Sequence, residues 1–384
     1  MQQAQRNYHK IGKPPQNIKA KIFWAFTLIN LTYFIMILCA LACLAVTFAA
    51  FFMFTGLANS HVFTFWPYII ITLLGIGGIT GCYSIIRGLL AIFAKHKGYI
   101  SAYRITTSIE TELIRFTMDI CTKVGAKAPN TILILPEPQA FVSDEEMQVM
   151  NAKTQGRTLA IGLPLLYVLS KNELRAVLAH EFAHFVGEDI EAAKQFSVAF
   201  SGMISAHEML HNTIIGHDSF SARLPLYLPH TILGVCLYNI MKIRASIEQS
   251  QEFRADWIAS QQCGGKTFGN ALIKIDGLSD FFYSQETMDT TKTMAKQNGT
   301  GYYKALRESV KHLPGFTYNL DQHLDDHSSV FSSHPSLKAR VENTRHFAER
   351  YNDYDPALRL ISNLSEYEHV MDGLVDSYEK LMHV

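Results

Sequence analysis

The sequence predicts a mostly helical α+β protein: an N-terminal two-helix transmembrane hairpin, followed by a domain with a small β-sheet and a metal-binding helix. Three observations carry that prediction. From residue 22 to 86 the chain has no Asp, Glu, Lys or Arg. Two short β-branched, apolar stretches follow, at 131–135 and 157–162. Shortly after the second comes His180-Glu181-Phe182-Ala183-His184, an H-E-x-x-H motif in a stretch with helical apolar spacing.

The chain has 384 residues, 48% of them hydrophobic and only 18% charged. Lys+Arg and Asp+Glu are equal at 34 each, which argues against a nucleic-acid partner. The six cysteines, Cys39, Cys43, Cys82, Cys121, Cys236 and Cys263, form neither a disulfide framework nor a C-x-x-C pair.

Residues 1–21 form a basic tail with Arg6, Lys10, Lys13, Lys19 and Lys21 and no acid. The apolar runs 22–54 and 68–93 each exceed the ~20 residues that span a bilayer. The first is also too long for the ~7–15-residue core of a signal peptide. The connecting loop, 55–66, is uncharged, whereas Lys95, Lys97 and Arg104 follow the second run. The positive-inside rule therefore places the N-terminus and everything after residue 95 on the cytoplasmic side. Gly75, Gly77, Gly78 and Gly81 allow close helix packing in lipid, so the two spans (domain 22–96) pair as a hairpin.

Residues 99–126 have an amphipathic helical pattern. Pro129-Asn130 breaks it, 131–135 reads as a strand, and Pro136-Glu137-Pro138 ends that strand. The polar stretch 143–156 reads as a loop or hairpin turn. The strand at 157–162 is either structural or an edge that takes an extended peptide beside a metal cleft. Ser170 and Glu173 then form a capping box, which starts the H-E-x-x-H helix, with Gly187 as its stop. On that helix His180 and His184 share a face, and Glu181 lies about 100° round. It can reach a metal-activated water without ligating the ion.

A second copy, His207-Glu208-Met209-Leu210-His211, competes for the same role, with His217 at the third-ligand position of one H-E-x-x-H subtype. Ile214 stands where that subtype turns on a glycine, and the apolar frame is weaker, so the first copy is preferred. Residues 190–212 read as a helix. The uncharged segment 224–241 contains Pro225 and Pro229. The favoured reading gives it no membrane crossing, buried in the protein or lying on the membrane surface. A two-crossing alternative would carry His207, Glu208 and His211 into lipid.

A helix then runs through 242–257, placing Glu252 and Asp256 on one face. A catalytic zinc needs a third protein ligand and an open fourth position. Glu252 is a candidate for that ligand, and Asp256 or Asp189 for the group that fixes an imidazole tautomer. The competing reading is a solvated acidic face paired with Arg254. Residues 287–301 read as a loop. Residues 332–336 read as a turn before a helix, with Pro335 in its first turn and Arg340 six residues after His334.

Together, Glu173-Leu174…Val177-Leu178-Ala-His-Glu-Phe-Ala-His184, Asp189, Glu252-Phe-Arg-Ala-Asp256 and Ser333-His334-Pro335…Arg340-Val341 resemble the HtpX and CAAX-prenyl-protease type of integral membrane zinc metallopeptidases, a gluzincin family. The resemblance implies a zincin-like metallopeptidase domain at 99–350, with a C-terminal helical extension at 351–384. It implies one Zn2+ on His180, His184 and Glu252, with Glu181 as general base and later acid. His334 and Arg340 would lie near the oxyanion, and Asp189 and Asp256 would support the ligands. Relatives often show Asn-Ala where this chain has Gln139-Ala140. The implied protein is a multi-pass integral membrane endopeptidase, in a bacterial inner membrane with its catalytic domain in the cytoplasm. It would act on protein or peptide substrates, in membrane-protein quality control. A non-catalytic zinc-stabilised membrane scaffold and a prenyl-protein (CAAX) processing protease are the alternatives.

Overall fold

The structure is a computed structural model that describes residues 18–59, 65–91, 98–106, 108–186, 190–216, 220–311 and 334–382. Two long helices come first, α1 (Ile18–Asn59) and α2 (Phe65–Ala91). Then follow β1 (Gly98–Tyr99), β2 (Tyr103–Arg104), α3 (Thr111–Val124), β3 (Thr131–Leu135), β4 (Ala140–Ser143), β5 (Met147–Val149), β6 (Ala152–Lys153) and β7 (Thr158–Gly162). The rest is helical: α4 (Leu163–Val168), α5 (Lys171–Ala183), α6 (Ile190–Gly216), α7 (Phe220–Cys263), α8 (Gly265–Tyr283), α9 (Gln285–Asn298), α10 (Tyr302–Lys311), α11 (Leu337–Thr344) and α12 (Leu364–Met382). A 3-10 turn, Ala357–Leu360, precedes α12.

These elements fall into two units. One unites residues 16–96 with 188–247. Within it, Phe23–Asn59 and Trp66–Arg87 are long and apolar enough to cross a membrane, with mean hydropathies of 2.7 and 2.0. Gly78 lets α2 lie directly on α1, because a Cβ there would sit 2.2 Å from Thr47 Oγ1 and 2.7 Å from the Cys43 carbonyl oxygen. Residues of α6 (Phe200, Met203, Leu210) and of α7 (Leu226, Leu233, Leu237, Ile240) share one core with Ile29 and Met36 of α1. Segment 188–247 therefore groups with the hairpin and not with a continuous 99–350 domain. The 224–241 segment is one helical stretch of α7, unbroken by Pro225 and Pro229. Each proline forgoes a backbone hydrogen bond. The buried face around Leu226, Leu233, Leu237 and Ile240 keeps the helix continuous.

The other unit takes in residues 97–187 and 248–384. Its main sheet has the order β2-β3-β7-β4. β3 and β7 run parallel in the register Thr131↔Thr158 to Leu135↔Gly162, and every residue of both is buried. That burial explains their unbroken apolar character. β4 runs antiparallel to β7, pairing Ala140 with Ile161 and Ser143 with Thr158. The strand beginning near Arg157 is thus central, and the edge belongs to β4.

Three further expectations change. The stretch 99–126 opens with strands β1 and β2, and its helix starts only at Thr111. The stretch 287–301 is mostly helix α9, stopped by Gly299 at φ 61°. Residues 351–384 are no appendage, because Leu360, Ile361, Tyr367, Met371 and Leu374 lie in the same core as Leu174, Leu178 and Phe182 of α5.

Candidate metal centre

The site starts from the N-terminus of α5. Ser170 and Glu173 form the expected capping box: Glu173 N donates to Ser170 Oγ at 3.3 Å, and Ser170 N donates to Glu173 Oε2 at 2.8 Å. Leu174, Val177, Leu178 and Phe182 bury one face of the helix. Its last turn delivers His180 and, at the C-cap, His184. Gly187, expected as the stop, lies outside the described residues; the helix ends at Ala183. The His180 ring stacks on Phe268 of α8, with centroids 5.8 Å apart.

The C-terminal part of α7 brings Glu252 to the same place. Glu252 Oε2 lies 3.5 Å from His180 Nε2, and Oε1 lies 3.4 Å from His184 Nε2. The two Nε2 atoms are 3.2 Å apart. Among the described residues, His180, His184 and Glu252 are the one group of three such donors found with its atoms all within 4.8 Å of one another. Glu252 Oε2 is buried and accepts no well-formed hydrogen bond. Arg340 Nη2 and His334 Nδ1 face it at 3.4 and 3.3 Å without a well-formed bond, and a bound cation would complete it. Two imidazoles and one carboxylate are a donor set that suits zinc.

One turn further along α7, the fully buried Asp256 lies 2.9 Å from His180 Nδ1, off the N–H direction. Helix α11 supplies Arg340, whose Nε and Nη2 donate to the two Asp256 oxygens at 2.9 and 2.6 Å. Arg340 Nη2 is also 3.4 Å from Glu252 Oε2. Ser336 caps α11, its Oγ accepting from Ala339 N at 3.3 Å, so Pro335 precedes the cap and is not in the first turn. Just before it, the exposed His334 places Nδ1 3.3 Å from Glu252 Oε2.

The electrostatics follow from this packing. Burial works to raise the Glu252 pKa, but hydrogen bonding from His180, His184 and His334 holds it far below the usual carboxylate range. Burial likewise opposes ionisation of Asp256, and Arg340 and His180 prevail, so its pKa is lowered. For His180, burial acts downward, but Asp256 and Glu252 lift the pKa to about 9 in the metal-free protein. Glu181 is raised, by burial above all, with His180 and His184 acting in the opposite sense. A carboxylate of raised pKa is better matched to accepting a proton near neutrality.

The second H-E-x-x-H copy forms a different arrangement. His207 and His211 both stack on His230, with centroids 4.3 and 5.5 Å apart and rings 22° and 23° from parallel. Stacked imidazoles do not aim their nitrogens at one point. His217 and Asp189 lie outside the described residues. Sequence reasoning missed Phe268 under the His180 ring, and it missed Arg254 as a contact of α5. Neither carries a spacing signal, because both come from elements remote in sequence.

Comparison with known proteins identifies the family. Residues 119–348 match the family model described as Peptidase family M48, a span that holds every site residue placed above. A "Protease HtpX homolog" of Thermodesulfovibrio yellowstonii is 26% identical over 270 residues, covering 68% of this chain and 85% of the relative. One of Pelotomaculum thermopropionicum is 28% identical over 156 residues, covering 37% of this chain and 53% of the relative. The "Protease HtpX" of Legionella pneumophila strain Lens is 24% identical over 238 residues, covering 59% and 73%. No solved structure matches.

Proposed function

The chain belongs to peptidase family M48, and from that premise we propose a membrane-spanning, zinc-dependent endopeptidase with its catalytic unit in the cytoplasm. The carrying observation is the convergence of His180, His184 and Glu252, whose donor atoms all lie within 4.8 Å of one another. These three residues would hold the ion. Zinc bound there would polarise the scissile carbonyl and lower the pKa of a water to about 7.

The chain's own residues do the rest. Glu181 takes a proton from the attacking water as its oxygen bonds to the carbonyl carbon. It then gives that proton to the amine nitrogen as the C–N bond breaks. Arg340 holds the Asp256 carboxylate from two sides, and Asp256 in turn sets the His180 ring. His334, exposed beside Glu252, and Arg340, held by Asp256, are the candidate oxyanion donors. The outer edge of β4 is the strand to which an extended peptide would add, since β7 has partners on both sides.

The two long apolar helices α1 and α2 support a membrane location. Apolar residues on α6 and the first part of α7, including Ile215, Phe220, Leu224, Leu228 and Val235, are exposed on helices that share a core with α1. Such a face suits contact with lipid, at the membrane surface or within it; among the described residues only Phe23–Asn59 and Trp66–Arg87 are long and apolar enough to span. An even count of crossings between them, zero included, keeps Glu252 on the side of His180. The basic residues flanking the first hairpin favour the cytoplasm for that side.

The test is Glu181→Gln in the detergent-solubilised full chain. Cleavage of a generic unfolded protein should fall by ~10²–10⁴-fold while metal content stays at one per chain. Unchanged cleavage would reject the general-base role. Wild-type protein that binds zinc without any turnover would favour a scaffold.

A further inference from the structure

The second imidazole ligand stands on an insecure piece of backbone. His184 is the C-cap of α5, beyond the last helical residue Ala183. The following turn is closed only by short-range bonds, Phe185 N to Phe182 O at 3.0 Å and Val186 N to Ala183 O at 3.2 Å. The last carbonyls of a helix have no partners within it, and such ends fray. His180 sits inside the helix with Asp256 and Phe268 against its ring. The position of His184 depends on how the end of α5 is held.

A side chain from the other ligand-bearing helix meets that end. Arg254 lies on α7 between Glu252 and Asp256. Its Nη2 donates to the Val186 carbonyl oxygen and approaches that of Ala183 at 3.5 Å. One acceptor precedes His184 and the other follows it, so the guanidinium brackets the ligand. A cation there also faces the negative end of the α5 dipole. Arg254 thus ties the backbone of one ligand helix to the helix that carries the third ligand.

We propose that Arg254 is a positioning residue for the metal: it clamps the C-terminal turn of α5 so that His184 is held at Glu252 before the ion arrives. This rests on the metal reading above. A single nitrogen, Nη2, reaches both carbonyls, and the planar guanidinium fixes its direction better than a lysine ammonium on its flexible stem would. Arg254 is not among the three candidate ligands, so its loss should appear as weaker metal retention and not as altered chemistry.

The experiment compares full-length wild type, Arg254→Ala and Arg254→Lys in detergent. Zinc affinity is read by competition with a chelating dye, unfolding temperature by a melt of the metal-free protein, and kcat and KM at saturating zinc. Arg254→Ala should weaken zinc binding by ~10–100-fold, the range typical of lost outer-sphere support. Arg254→Lys should recover part of that loss. Saturating zinc should restore kcat and leave KM unchanged, with the metal-free melt close to wild type. Wild-type zinc affinity in Arg254→Ala would overturn the proposal. So would a loss that tracks a lower metal-free melting temperature and is not restored by zinc. Wild-type protein that takes up no zinc would instead sink the metal reading itself.

Discussion

At the residue scale, the site depends on how buried charge is arranged around His180. Asp256 is fully buried, and Arg340 grips it with two donors. This carboxylate performs two tasks, compensating a buried guanidinium and orienting a ligand. Replacing it should separate them. Asp256→Asn keeps an acceptor for Arg340 but loses the negative charge that faces the imidazole. Zinc affinity should then drop by ~10–100-fold, with activity returning at high zinc. Asp256→Ala leaves the Arg340 charge buried and uncompensated, and should cost ~3–5 kcal/mol of stability as well. Competition with a chelator and a denaturant titration measure the two losses. Equal behaviour of the two variants would mean that Asp256 serves only one task.

The same residues show what sequence can reveal about a site. His180, Glu181 and His184 are legible because a helix turns residue spacing into geometry. Glu252 is far along the chain, and its spacing to Asp256 fits a solvated acidic face equally well. Only resemblance to a family separated the two readings. The Asp256–Arg340 contact and the Arg254 clamp depend on where α7 and α11 pack, which no local pattern records.

At the element scale, strands β3 and β7 and the α5 capping box were legible because their signals are local: apolar β-branched runs, and Ser and Glu three apart. Helix α9 was not, because Thr291 and Ala295 are its only buried residues and give no apolar stripe. Strands β1 and β2, two residues each, exist through partners distant in sequence, Met147 and Gln148 for one, Leu133 and Ile134 for the other. The sheet edge offers a sharp test. A Cβ on Gly162 would sit 2.1 Å from the Glu137 carbonyl oxygen and 2.9 Å from Gln139 N. Both atoms are backbone, so no rotamer change relieves the clash. Gly162→Ala should push the start of β4 away from β7, at a cost of ~1–3 kcal/mol. If substrate adds to the β4 edge, KM should rise while zinc affinity is kept. Unchanged stability would show that the backbones do not approach this closely.

At the scale of the whole molecule, the sequence suggested that residues 351–384 extend a finished domain, and the packing says otherwise. Lys171 N donates to the Asp355 carbonyl at 2.7 Å, and Ala357 N donates to the Leu169 carbonyl at 2.9 Å. Ser170, the N-cap of α5, bridges to Pro356. The segment therefore straps the start of the metal-binding helix. Buried Glu110 anchors the chain just before α12, accepting from Ser362 N at 2.7 Å and Asn363 N at 3.1 Å. Burying Leu360, Ile361, Tyr367, Met371 and Leu374 contributes about 1.5–3 kcal/mol apiece. Their combined worth is comparable to the ~5–15 kcal/mol that holds a whole domain together. Ending the chain at residue 352 should thus cost more than a tail. The truncated protein, still anchored through α1 and α2, should lose zinc, and residues 97–187 should become sensitive to added protease. Chelating zinc from the full chain, by contrast, should lower its melting temperature only by the binding energy, ~4 kcal/mol at a thousandfold excess over Kd. A truncated chain that keeps zinc and resists protease would show that α5 holds its ligands without the strap.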